Sequence, residues 1–236
     1  MEAKRKGLFS DEQKAKFIGS LKAGKQKRAE ILEKGINLKE AFYYGYLDVS
    51  RAPLKGIKQF VGNTVKARND CIEEIFQYCE NTLLSAQSED TFDKGHEKLC
   101  EIIKKFYNDR GYIDFTVGKA QKWINMALKY ACIYDNEDAE KLQGIFQYCH
   151  VPIDRYVANP IVNELGVNLP RYNGFQMPKH VPFDAGKCNY SWSKINDYSD
   201  YLNCQKYIRE ALRKVNPMKY ALEWEFIKWL DEKNNT

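Results

Sequence analysis

The chain has 236 residues, of which 44% are hydrophobic and 14% aromatic, with seven cysteines and a formal net charge of +5. That length carries one large domain or two small ones without disulfide or metal staples, and the composition excludes a disordered chain. The basic start, MEAKRKGLFSDEQKAKF, runs into no apolar segment of the signal-peptide kind, and nowhere do the roughly 18 uncharged apolar residues of a spanning helix run together, so a cytoplasmic chain with no membrane association is expected.

In chain order, residues 1–34 hold ten basic side chains (Lys4, Arg5, Lys6, Lys14, Lys16, Lys22, Lys25, Lys27, Arg28, Lys34) against five acidic ones (Glu2, Asp11, Glu12, Glu30, Glu33), a difference equal to the whole net charge. Ser10 with Gln13 three residues on opens a helix that Gly35 closes. This gives a basic N-terminal helix, 1–35, ahead of an all-helical globular domain, 36–236. Lys4, Arg5 and Lys6 are its candidate contacts to a phosphate backbone or an acidic protein partner, since such contacts release counterions and need no base reading. A solvated helix face with lysines for solubility accounts for the same pattern.

Asn37 and Glu40 mark a second helix start, and Ala52-Pro53 a break. A long helix is predicted over 55–84, where Ile57, Phe60, Val61, Val65, Ile72, Ile75, Phe76 and Cys79 recur at steps of three and four. Another runs over 92–107 and ends at Asn108-Asp109-Arg110-Gly111. The segment 169–192, with Pro170, Gly174, Pro178, Pro182 and Gly186, reads as a long irregular loop. Helices over 197–215 and 221–232 close the chain, the last with Trp224, Ile227 and Leu230 at core spacing. Neither repeats nor alternating strand patterns occur, so the predicted fold class is all-α.

The cysteines, Cys71, Cys79, Cys100, Cys132, Cys149, Cys188 and Cys204, never form a C-x-x-C pair and read as reduced core thiols. His96, His150 and His180 lack ligand spacing, so neither a metal nor another cofactor is expected. Trp192, Trp224 and Trp229 read as core or interface anchors, with base stacking as the other use of such side chains.

A strong helix is predicted over 119–130, and followed from Val117 it has two unlike faces. Val117, Ala120, Ile124, Ala127, Leu128 and Ala131 lie on one, and Lys119, Lys122, Met126 and Lys129 on the other. Gly118 at its head leaves backbone N–H groups for an anion, with the lysines adding positive charge. Downstream, Pro152-Ile153-Asp154-Arg155-Tyr156-Val157 sets a carboxylate at a helix start, where it remains ionised.

The run Val117-Gly118-Lys119-Ala120-Gln121-Lys122-Trp123-Ile124-Asn125-Met126-Ala127-Leu128, followed by Pro152 to Val157 and Leu165-Gly166, resembles the helix-hairpin-helix DNA glycosylase superfamily. The resemblance covers about a fifth of the chain. It implies an all-helical fold, DNA as partner, and base-excision N-glycosylase or lyase activity. Position by position, Gly118 matches the phosphate-holding hairpin, Lys122 the lysine nucleophile and Asp154 the catalytic aspartate, with Lys119 and Lys129 beside them as cationic DNA contacts. The sequence departs from the family in having one hairpin glycine, an insertion over 135–144, Pro160 after the aspartate, and none of the family's iron–sulfur cysteine spacing. A carboxylate would stabilise the cationic sugar and a free amine would attack it. Read without the resemblance, Lys122 is a solvated helix lysine and Asp154 a helix cap, and the chain is a non-enzymatic module that binds nucleic acid or protein.

Overall fold

The computed structural model describes residues 9–50, 54, 56–134, 139–171, 190–215 and 220–234. Among these, eleven α-helices form and no strand does, as expected for an all-α chain. No helix among the described residues is long and apolar enough to cross a membrane.

The N-terminal region holds two helices where one was expected, α1 (Asp11–Ile18) and α2 (Lys25–Lys34), separated at Gly19. Ser10 and Gln13 make the predicted reciprocal cap, side chain to backbone in both directions. Phe17, Leu21 and Ile31 are buried, so this segment is part of the core and only its polar face meets solvent. Lys4, Arg5 and Lys6 lie outside the described residues.

Helix α3 (Leu38–Val49) starts at Asn37, whose side chain accepts from the Glu40 backbone. The single helix expected over 55–84 is instead α4 (Ile57–Val61), α5 (Thr64–Asn81) and a 3-10 turn at Leu83–Ser85. Gly62 adopts φ +60°, which ends α4, and the Asn63 side chain caps α5. The break rotates the apolar pattern, leaving Phe60 and Val65 53% and 57% exposed rather than in the core. Helix α6 (Glu89–Asn108) follows a second reciprocal cap at Ser88 and Thr91, and the chain leaves it through Gly111 at φ +82°.

Helix α7 (Val117–Ile133) is the axis of the molecule. Thr116 caps it, and every one of its 17 residues is buried, lysines included. Helices α3, α6 and α8 (Ala139–Ile145) pack on it. A Cβ on Gly45 of α3 would stand 2.6 Å from the Trp123 carbonyl oxygen, so a glycine is what lets the two helices approach this closely. The Trp123 indole N–H donates to the Phe42 carbonyl across the same contact. After the short α9 (Ala158–Asn163), with Pro160 in its first turn where a missing N–H costs little, come a 3-10 turn at Trp192–Lys194 and the helices α10 (Tyr198–Val215) and α11 (Ala221–Asn234). Both long helices reach α7 through side chains, Tyr201 to Asn125 and Glu225 to Lys129. Most of the expected loop at 169–192, residues 172–189 with Cys188 and His180, lies outside the described residues.

Candidate active site

Lys122 and Asp154 meet. The Lys122 Nζ donates to Asp154 Oδ2 at 2.7 Å, and both side chains are buried, so Lys122 is not a solvated helix lysine. The other Asp154 oxygen, Oδ1, accepts from the backbone N–H groups of Tyr156 (2.8 Å) and Val157 (3.3 Å), which closes the turn that feeds α9. The carboxylate is thus fixed at both oxygens, and α7 fixes the amine. Residues 139–144 of the expected insertion belong to α8, and the two groups converge.

Burial alone would raise the Asp154 carboxyl. The Lys122 ammonium and the Tyr156 N–H outweigh it and hold the group below the usual carboxylate range. Burial alone would likewise depress the Lys122 amine, and the Asp154 carboxylate reverses that, lifting it above the usual lysine range. At rest the two groups are a charged pair, an ammonium beside a carboxylate.

The pair stands in the wall of a cavity of about 450 Å³. Aromatic and soft side chains, Tyr156, Trp192, Trp229 and Met126, supply flat apolar walls. Trp192 and Trp229 therefore share a space with the Lys122–Asp154 pair, whereas Trp224 is an ordinary core residue. Opposite charges recur at Lys22 and Asp48, 3.0 Å apart, with the Tyr130 hydroxyl donating to Asp48 at 2.7 Å; all three line the same cavity. Sequence reading did not find Lys22 or Asp48, because they sit on α1–α2 and α3 with no motif joining them to 122 or 154. Arg155 also lines the cavity, its guanidinium against the Tyr156 ring.

Three expected phosphate contacts are corrected. The Gly118 N–H is not free for an anion: it donates to the Ile195 carbonyl at 2.8 Å, and a Cβ there would collide with the Trp192 carbonyl oxygen. The glycine serves close packing of the 192–195 turn on α7. The Lys119 ammonium is turned inward to the Asp114 carbonyl and over the Tyr112 ring at 5.4 Å. Lys129 is wholly buried against Glu225, its Nζ 2.9 and 2.7 Å from the two carboxylate oxygens and about 5 Å from the Phe17, Phe226 and Trp229 rings. None of the three faces a surface that a DNA backbone reaches.

Next to Lys122 on α7, Gln121 and Asn125 enter a polar network that sequence spacing concealed. The His96 and His150 rings lie against each other at a tilt of 51°, with centres 4.4 Å apart. His150 bonds Asp93 (2.8 Å) and the Tyr201 hydroxyl (3.0 Å), Arg209 pairs with Asp93, and Asn125 links His96, Tyr201 and Gln121. Gln121 donates on to the carbonyl of Ile153, the residue before Asp154. Each member is held by another member or by backbone, so the network reads as a structural clamp between α6, α7, α10 and the 150–154 segment.

Comparison with known proteins returns no matching family model, no matching curated protein and no matching solved structure.

Proposed function

We propose that the protein is a base-excision DNA N-glycosylase with lyase activity, in which Lys122 is the nucleophile and Asp154 the fixed anion. The observation that carries the reading is the convergence of these two groups, 32 residues apart in sequence, at 2.7 Å in the wall of one aromatic-lined cavity. A buried lysine and carboxylate also form structural pairs, but a purely structural pair gains nothing from opening onto a space of this size.

The chemistry follows from the charges. A damaged base swings out of the duplex into the cavity, stacking on the indole and phenol rings. As the glycosidic bond stretches, positive charge grows on the sugar and Asp154, ionised and unable to turn away, opposes it. Once the Lys122 ammonium has given one proton to solvent, its nitrogen bonds through the freed lone pair to the sugar C1′ while the C1′–N bond breaks and that bond's electron pair leaves on the base. The base takes up a proton shed by the amine, and opening of the sugar ring then gives the imine. The DNA backbone is held outside the cavity, by Arg155 at its wall and by Lys4, Arg5 and Lys6 ahead of α1.

The test is single-turnover base release from a duplex carrying one damaged base. Asp154→Asn should lower the rate by at least about 100-fold, the scale of losing one fixed transition-state charge, while DNA affinity changes less than about threefold. Equal rates in the variant and the parent protein would remove the enzymatic reading and leave a helical module that binds nucleic acid or protein through its basic N-terminal segment.

A further inference from the structure

The cavity holds a second ion pair that the proposed reaction does not use. Lys22 and Asp48 stand 3.0 Å apart with side chains 25% and 16% exposed, and both line the space that Lys122 and Asp154 enter. Among the described residues, the Lys22 ammonium donates to the Leu47 carbonyl and stands in ion contact with Asp48, which leaves at least one of its three N–H groups over. Asp48 accepts from Tyr130 on Oδ2 and has Oδ1 in ion contact with Lys22, so at most half of the four bonds a carboxylate takes are used. A spare donor therefore sits directly beside spare acceptor positions, in a cavity that also presents the Tyr156, Trp192 and Trp229 rings.

The geometry points to Lys22 and Asp48 as the pair that selects the base, favouring a base whose edge sets a ring N–H directly beside a C=O. This rests on the glycosylase reading above and names its substrate class, the lactam bases such as uracil, hypoxanthine and oxidised guanine. Lys22 donates to the carbonyl oxygen and Asp48 accepts the ring N–H. A flat heterocycle packs against the aromatic part of the wall while its lactam edge meets the pair. A base alkylated at the lactam nitrogen brings a methyl group to Asp48 and leaves a carboxylate without its donor, a mismatch worth several orders of magnitude when polar groups in a site are left unpaired. Tyr130 holds the carboxylate in place from behind, which sets the direction in which its free lone pairs point.

The experiment compares two readouts of the full chain. One is base release from duplexes holding a single uracil, hypoxanthine, 8-oxoguanine, 3-methyluracil, 1-methylhypoxanthine or 3-methyladenine. The other is borohydride trapping on an abasic duplex, which has no base to read. The native protein should release at least one of the three lactam bases, and release uracil or hypoxanthine, where these are substrates, 100-fold faster than the N-methylated counterpart. Asp48→Asn, which turns an acceptor into a donor but keeps an oxygen for Tyr130, and Lys22→Met should each reduce lactam-base release at least tenfold more than they reduce trapping. If both readouts fall by the same factor, or if the native protein traps abasic DNA yet releases only 3-methyladenine or the N-methylated bases, the base-selecting role is overturned and the glycosylase reading stands. Absence of trapping by the native protein overturns the glycosylase reading, and this one with it.

Discussion

Lys129 and Glu225 face each other with both side chains fully buried, one on the central helix and one on the last. Burial pushes the Lys129 amine down and the Glu225 carboxyl up, and each partner opposes the shift of the other. Three aromatic rings close over the ammonium.

Removing one member of this pair strands the other without water. Lys129→Met or Glu225→Gln should cost roughly 3–5 kcal/mol of stability, and the double variant distinctly less than the sum of the two. Urea unfolding of the three variants checks this; additive losses would mean that the pair does not interact.

Glycine packing gives a second prediction. At Gly45 and Gly118 an added Cβ meets backbone oxygens, of Trp123 and Trp192, rather than side chains that swing aside. Each alanine substitution should lower stability by about 2 kcal/mol or more. Gly118→Ala should in addition disturb Trp192, and so weaken base release more than Gly45→Ala at matched temperature below unfolding. Near-neutral Gly118→Ala would contradict the close seating of the 192–195 turn.

The histidine network makes the fold acid-sensitive. Burial lowers His150 from its ordinary value to about 4 despite Asp93, and drives His96 lower than usual as well. Both are neutral in the fold and gain protons on unfolding below about pH 6.5, so stability is complete above that value and is lost as pH falls toward 4. For Asp93, burial alone would raise the carboxyl, yet His150 and Arg209 hold it down at about 2, so its contribution is lost only in stronger acid, below about pH 4. From pH 7 to pH 4.5 the loss from His150 alone should be on the order of 2–3 kcal/mol, with His96 adding to it, read from urea midpoints. His150→Gln should flatten this slope; an unchanged slope would place the acid response elsewhere.

Much of this arrangement is legible in the residues themselves. The caps at Ser10 and Asn37 and the helix that starts at Val117 follow from local chemistry, and the glycosylase resemblance pairs Lys122 with Asp154 as site residues. The α4–α5 break is hidden because apolar spacing continues through Gly62 and Asn63. The burial of Lys119, Lys122 and Lys129 is hidden because a lysine face looks solvent-directed until its partners are known, and those partners are 5 to 96 residues away. The inward face of α11 carries Glu225 beside Phe226 and Trp229 rather than Ile227, which periodicity alone does not distinguish. Lys22 and Asp48 join the cavity only through tertiary packing.

The basic segment ahead of α1 should set affinity rather than chemistry. Reversing the charge of Lys4, Arg5 and Lys6 should weaken DNA binding and reduce the slope of log affinity against log salt by about 0.9 for each phosphate that is no longer neutralised. Base release at saturating DNA should hold within about twofold. An unaltered salt slope would show that these residues do not meet the backbone.

The central claim is that the Lys122 amine attacks the sugar, and peptide mapping of a borohydride-reduced adduct with abasic DNA tests it most directly. The adduct is predicted on Lys122, absent from Lys122→Gln, which keeps an N–H for Asp154, and faster to form as pH rises from about 7 toward 10, because the resting amine is protonated. An adduct that maps to another residue, or that survives in Lys122→Gln, would contradict the account.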